Sequence, residues 1–498
     1  MLMIKLCRIF KLKSEVHVFK YIRKITITTI MAAVLLNGTA PYASAKTTPL
    51  PAAYDARKKH IATSVKDQGS TGICWSFAAI KTLEMNAVKT GLFPLEKADF
   101  SENHLSWYTY NTTTDENNPM YGDKRIIKNL DSSKNPLIQS YKLGGLVSYA
   151  VATLSQWSGV AMEEDSPFSG QTLEEVEGMA EGMTDMGEEL RYSSAAHFQN
   201  ADCYDNASRN EIKKAILEKG AVDISIYYDK TGFENKKSSG VSYYQQKYKG
   251  AVAKEYANHC VTIIGWNDKY SRNKFKNKPS SDGAWLVANS YGTRINKLKG
   301  YFWLSYKEPS ICDIYSMELE PVDNYDYNYQ YDGIGWTDAI YFNSEDISGA
   351  NVFENNTELS QELKAVSIYT LDDKQSYTID VYKNVSGNTP VSGEHVEGCT
   401  ISGTAKYTGY HTIKLPESCV IEPGEKFSVV VRYKYKKKTG HEAYLPIEGE
   451  DYESDIFEYK FSSKKGQSYY LLDNNWVDLY SENRNNVCIK AFTSDIIS

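Results

Sequence analysis

The chain has 498 residues, 41% of them hydrophobic, which is enough for two or three domains with cores of their own. A net charge of -7 and a pI near 5.8, with no basic stripe beyond the short run Lys434 to Lys438, give no support for nucleic acid as a partner. After residue 45 no stretch approaches the roughly 20 apolar residues that a membrane span needs.

Residues 1–45 read as an export signal. Arg23 and Lys24 precede an apolar run from Ile25 to Leu36, and Ala43-Ser44-Ala45 supplies the small residues of a cleavage site. The mature chain is expected to begin near Lys46 and to act outside the cell, secreted or at a bacterial surface. Cys7 lies in the signal, and the seven remaining cysteines are an odd count, which predicts one free thiol. Cys399 with Cys419 is the pairing that their shared β-rich region suggests.

Residues 65–91, VKDQGSTGICWSFAAIKTLEMNAVKTG, predict a loop running into an amphipathic helix. Phe77, Ile80, Leu83, Met85 and Val88 approximate one apolar face, and Gly91 stands where a helix stops. Cys74 falls in the first turn, where unpaired N–H groups and the positive end of the macrodipole favour thiolate over thiol. For a cysteine taken alone, the plainer reading is a small buried hydrophobe. The neighbours decide otherwise: Gln68, Gly69, Ser70, Gly72, Cys74, Trp75, Ser76 and Phe77 together resemble the nucleophile segment of papain-type cysteine proteases. The resemblance implies that Cys74 is the nucleophile, and that the Gln68 side chain and the Cys74 backbone N–H form the oxyanion hole. Thr71 stands where the family usually has a structural cysteine, and Ile73 where it has a small residue, so the loop is expected to lack a disulfide and to be crowded.

Ahead of that loop, LPAAYDARKKHIATSVKDQ resembles the start of a mature papain-type enzyme. Its closeness to the predicted cleavage leaves no room for the usual inhibitory pro-domain, so activity without N-terminal trimming is expected. Further on, DFSENHLSWY marks a helix start with Ser101 as N-cap and His104 as a surface or capping histidine. Residues 111–140 are polar and read as a surface insertion. Gly144 and Gly145 stand where the family's glycine pair lines the cleft and hydrogen-bonds the substrate backbone. The acidic run Glu174 to Glu189 reads as a solvated excursion without the ligand spacing of a calcium loop.

From Ala221 onward, AVDISIYYD, NHCVTIIGW, GAWLVANSYG and GYFWLSY read as antiparallel strands. His259, with Asn258 before it and Gly265-Trp266 after, resembles the segment carrying the family's general base. Asn289 stands where the family keeps the asparagine that orients the imidazole. Tyr291 replaces the usual tryptophan, which questions how well that hydrogen bond is shielded from water. His259 follows Cys74 by 185 positions, against roughly 130–150 in the family, and the insertions account for the excess. By family position, Ala257 and Ser225 border the main specificity pocket.

Beyond residue 316 the chain becomes Tyr-rich and turn-separated, as in LKAVSIYTL, SYTIDVYKN and KFSVVVRYKY. This predicts an all-β sandwich or jelly roll that resembles the lectin-like domain of some secreted bacterial proteases. The expectation is therefore an α+β papain-like domain over 46–316, with a cleft between a helical half and an antiparallel β half, then an independently folding β domain over 317–498. The implied activity is that of a cysteine endopeptidase acting on proteins or peptides without a cofactor or metal. Trp336 and Trp476 offer faces for a surface glycan. Two other readings are an adhesin with a decayed protease domain, against which the intact Gln68, Cys74, His259 and Asn289 stand, and a cysteine amidase acting on cell-wall peptides.

Overall fold

The computed structural model describes residues 49–128, 141–142, 144–168, 186–234, 241–294, 296–435, 442–449, 457–482 and 486–497. The expected export signal, residues 129–140 of the expected insertion and most of the Glu174 to Glu189 run lie outside them.

A helix spans Cys74–Thr90 and ends at Gly91, whose φ of 80° is left-handed and whose N–H returns to Val88 O. The expected single apolar face proves too narrow, because every residue from Cys74 to Ala87 is buried. The helix lies between a sheet, which it meets at the strands His259–Asn267 and Cys312–Pro321, and two further helices, Glu102–Tyr110 and Val147–Ser155. Its polar residues survive burial by having partners. Lys81 Nζ donates to the carbonyls of Thr63 and Ser64, both at 2.6 Å. Glu84 accepts from Thr63 Oγ1 at 2.5 Å and from Phe100 N at 3.2 Å. Asn86 bridges Lys219 O and Leu319 N.

Among the described residues, one 13-stranded sheet runs through both parts of the chain. Its protease-side order is Ala196–Cys203, Cys312–Pro321, Val222–Ile226, His259–Asn267, Ala284–Ala288 and Tyr301–Ser305. On the other side of Ala196–Cys203 the sheet continues directly into Thr408–Ile421, Gln361–Thr370, Ile489–Asp495 and Tyr327–Tyr329. Thr408 to His411 pair antiparallel with Cys203 to Asn200, and Tyr369, Tyr410 and Cys488 enter the hydrophobic cluster that holds Trp75, Leu83 and Leu154. The expectation of an independently folding β domain thus meets a shared sheet and a shared core. The expected boundary after residue 316 falls inside the strand Cys312–Pro321.

The C-terminal part is a sandwich, as its alternation predicts. A seven-stranded sheet centred on Asp346–Glu354 and Lys426–Lys434 faces the continuing long sheet across Phe353, Leu363, Val366, Phe427 and Val431. The described part of the 111–140 insertion is more than surface decoration: its strand Lys124–Ile127 makes a separate two-stranded sheet with Phe457–Lys460 of the C-terminal part.

Candidate active site

Two loops are zipped together to make the floor of the site. Gln68 N donates to Ser290 O at 2.8 Å, Gly292 N to Lys66 O at 3.0 Å, and Ser290 Oγ to Gln68 Oε1 at 2.5 Å. Lys66 anchors the first loop from below, with its ammonium 2.8 Å from Asp99, 3.0 Å from Glu102 and 3.3 Å from Glu84. Thr71, in place of the family's cysteine, closes the turn by donating from Oγ1 to Gln68 O at 2.7 Å. Ile73 does not crowd the loop. It is fully buried among Phe77, Trp107, Tyr108 and Tyr141. Gln68 Nε2 gives one hydrogen to Thr71 O at 2.7 Å, and among the described residues the other has no acceptor. Cys74 opens the helix, so its own N–H has no intrahelical acceptor.

His259 starts the strand His259–Asn267, and its Nε2–H donates to Asn289 Oδ1 at 2.7 Å. That bond puts the proton on Nε2 and leaves Nδ1 as the basic ring nitrogen, and His259 helps to draw the Cys74 thiol down. Tyr291 lies flat on the imidazole, with ring centroids 4.9 Å apart, and Tyr228 meets it edge-on at 5.0 Å. The tyrosine that replaces the family's tryptophan therefore covers the imidazole as a parallel lid.

The Cys74 thiol is held well below its usual pKa. The largest cause is a hydrogen bond from the Cys260 thiol; the His259 hydrogen bond and charge add to it, and burial opposes. Cys260 is buried, and its own thiol is pushed well above the usual range by that contact and by burial. Sequence reading passed over Cys260, although its position directly after His259 was the available signal. All seven described cysteines are free. Cys399 and Cys419 are buried in one cluster of the sandwich, which brings the suggested pair together without a disulfide.

Gly144 and Gly145 lie against the helix start. A Cβ on Gly145 would sit 2.6 Å from the Trp75 indole, and a Cβ on Gly72 would sit 3.0 Å from Gly144 N, so these backbones approach closely only as glycines. Beyond Leu146 opens a cavity of about 510 Å³, lined by Leu146, Val151, Cys312, Asp313, Trp336 and Tyr410 among others. Burial, with Asp205 adding to it, raises Asp313 to about 6. Trp336 thus belongs to a wall near the site and not to an outer face. Ala257 is buried in the turn before His259; the cavity takes Ala251, Lys254 and Glu255 from that segment instead. Ser225 faces Cys260, Oγ to Sγ 3.5 Å. His104, expected as a surface or capping histidine, is buried: its backbone N–H donates to the N-cap Ser101 Oγ, its Nε2–H donates to Leu190 O at 2.8 Å, and burial lowers it to about 4.

Residues 50–107 and 126–322, just over half of the chain, match the papain family of cysteine proteases. The chain belongs to that family. Residues 328–493 match the lectin-like domain. Among solved structures, this papain-family chain resembles a clostridial cysteine protease, Cwp84, after propeptide cleavage: TM-score 0.70 and 26% identity, covering 89% of this chain and 99% of that one. A second Cwp84 structure, of the cysteine protease and lectin-like domains of a surface-layer-associated protein of Clostridium difficile, shares the fold with TM-score 0.71 and 24% identity over 90% of each chain. Curated relatives include cathepsin F of Drosophila melanogaster and vignain of Ricinus communis, each 26% identical, over 57% and 53% of this chain. The chain spans only 38% and 57% of those relatives' lengths. A papain-like protease fold followed by a β-rich lectin-like domain is thus the architecture of this papain-family chain.

Proposed function

We propose that the protein is an exported cysteine endopeptidase, and the observation that carries this reading is the row Cys74, His259, Asn289 beside Gln68, with His259 hydrogen-bonded to Asn289 and drawing the Cys74 thiol down. The Cys74 thiolate attacks a peptide carbonyl carbon. The developing oxyanion is met by the Cys74 N–H and by the free Gln68 Nε2 hydrogen. His259, charged after taking the thiol proton, gives that proton to the leaving amine as the tetrahedral intermediate collapses to a thioester. Neutral His259 then activates water to hydrolyse the thioester. Asn289 holds the ring in its tautomer throughout. Gly144 and Gly145 carry the substrate backbone, and the cavity past Leu146 takes a substrate side chain. The test is hydrolysis of a short fluorogenic peptide by wild type and by Cys74→Ala. Turnover by the alanine variant overturns the reading, and cleavage of cell-wall peptides in preference to casein favours an amidase.

The papain-like domain of 46–316 and the lectin-like domain of 317–498 act together in this reading, with residues 1–45 as the export signal. The surface-layer association printed for Cwp84 supports a site of action at a bacterial surface. No described helix is long and apolar enough to cross a membrane. The C-terminal part has an open groove of about 1120 Å³ lined by Tyr469, Trp476, Tyr480, Asn384, Asn388 and Asp478. Flat aromatic faces beside amide and carboxylate groups suit a glycan, whose apolar ring faces stack while its hydroxyls hydrogen-bond. Retention on glycan-coated beads, lost in Trp476→Ala, tests this.

A further inference from the structure

The proposed chemistry needs one thiol at position 74, yet the fold delivers two. Cys260 and Cys74 are buried in one cluster, and Cys260 is the largest influence drawing the Cys74 thiol down. The register explains why. Thr262 Oγ1 donates at 3.2 Å to Ala78 O, one helical turn beyond Cys74. Residues 260 and 262 share a strand face and residues 74 and 78 share a helix face, so the contact that seats Thr262 on the helix also turns Cys260 towards Cys74. The surroundings are not those of an inert core cysteine. Ser225 Oγ lies 3.5 Å from Cys260 Sγ, and the nearby Asp223 carboxyl is fully buried with neither oxygen hydrogen-bonded among the described residues.

Resting on the assignment of Cys74 as nucleophile, we propose that Cys74 and Cys260 are a modification site: a thiol pair that small disulfides or peroxides convert to an intramolecular disulfide, switching the protease off reversibly. With a disulfide RSSR, the Cys74 thiolate attacks one sulfur, forming Cys74–S–SR and expelling RS⁻. The Cys260 sulfur then attacks Cys74 Sγ, expelling the second RS⁻ as the S–S bond closes, and its proton leaves with that thiolate. The two protein thiols are oxidised and RSSR is reduced to two RSH. With a peroxide, Cys74 takes one oxygen to become the sulfenic acid, and Cys260 condenses with it, releasing water.

The pair is self-timed. While Cys74 is a thiolate, its charge and its hydrogen bond keep Cys260 protonated and unreactive. Capping Cys74 as a neutral adduct removes that charge, so Cys260 becomes easier to ionise only once there is something to resolve. Further oxidation of Cys74 to sulfinic acid, which thiols do not reverse, is thereby cut short.

The experiment uses the full chain, reduced and desalted, exposed to oxidised glutathione or to hydrogen peroxide, and then mapped by mass spectrometry without reduction. The expected result is a Cys74–Cys260 cross-linked peptide, with activity lost and then restored by dithiothreitol. Cys260→Ala is expected to retain a glutathione adduct on Cys74. After peroxide it should recover at least about tenfold less of its own starting activity than wild type does. A glutathione adduct on wild-type Cys74 with Cys260 still free, or equal recovery in wild type and Cys260→Ala, overturns the proposal. Should Cys260→Ala fail to fold, as its melting curve will show, Cys260→Ser and the wild-type cross-link map decide alone. Peptide hydrolysis surviving in Cys74→Ala would sink the nucleophile assignment itself, whereas an inactive Cys74→Ala with no cross-link in wild type would sink only the switch.

Discussion

The phenol ring of Tyr291 lies 8° from parallel with the imidazole of His259, at a centroid separation of 4.9 Å. It covers the face of the ring that makes the His259 to Asn289 hydrogen bond. Stacked aromatic pairs contribute about 0.5–1.5 kcal/mol beyond the area they bury. Tyr291→Ala is therefore expected to lower kcat/KM by up to about tenfold, since 1.36 kcal/mol corresponds to a factor of ten. Tyr291→Trp should stay near wild type. Steady-state kinetics on one peptide decide, and an unaffected alanine variant removes the shielding role.

In the proposed mechanism His259 transfers the proton and Asn289 only aims it, so the two substitutions should not be equal. We expect His259→Ala to lose at least about 10²-fold more kcat than Asn289→Ala, in line with proton transfer being worth roughly 10²–10⁴. Equal losses would contradict that division of roles.

The depressed Cys74 thiol predicts a pH profile. A group held below its ordinary value stays ionised as pH falls from about 9, so alkylation by iodoacetamide should hold its plateau well into the acid side. Because the Cys260 hydrogen bond is the largest cause, Cys260→Ala should move the acid limb upward. A wild-type Cys74 that titrates like free cysteine would refute the thiolate.

His104 and His411 are both lowered from 6.5 to about 4 by burial. Between those values the unfolded chain binds more protons than the folded one, so stability falls as pH drops from about 6.5 and the loss is complete below about 4. At full expression each contributes roughly 3 kcal/mol of that loss. Thermal unfolding from pH 7 to 4 should show a shallower decline in His411→Asn than in wild type, and parallel curves would count against this.

A chain ending at Pro321 strips the ladder from Asn200 to Cys203 and removes Tyr369, Tyr410 and Cys488 from the core around Trp75. An unpaired edge and an opened core both favour aggregation. The truncated chain should be insoluble, or melt far below the full chain. Within the full chain, Tyr410→Ala should cost about 3–5 kcal/mol, as large buried aromatics do. A soluble, active truncation would restore the separable reading.

The chemistry was legible because it is local. The Gln68 to Phe77 segment, His259 and Asn289 each sit in short contexts whose residues carry the family resemblance, and the fold sets His259 against Asn289 at 2.7 Å. What was not legible depends on long-range pairing. Nothing in the residues near His411 says that they will bond to Asn200, more than two hundred positions away. Nor do Lys124 to Ile127 announce Phe457 to Lys460 as partners. The Cys74–Thr90 helix was misjudged as amphipathic because Lys81, Glu84 and Asn86 looked solvent-bound, whereas each is buried with a partner. His104 misled in the same way, a polar residue whose partner comes from a distant turn.

The ladder between Thr408–His411 and Asn200–Cys203 sets the reach of the enzyme. A protease hung from a surface by a flexible linker sweeps a volume that grows with the linker's length. Here the two parts share one sheet and one core, so in the proposed surface role the height of the cut above whatever the C-terminal part holds would be set by the dimensions of the molecule. An enzyme held in that way would select by altitude as well as by sequence, sparing an identical peptide bond that lies too near the surface or too far above it.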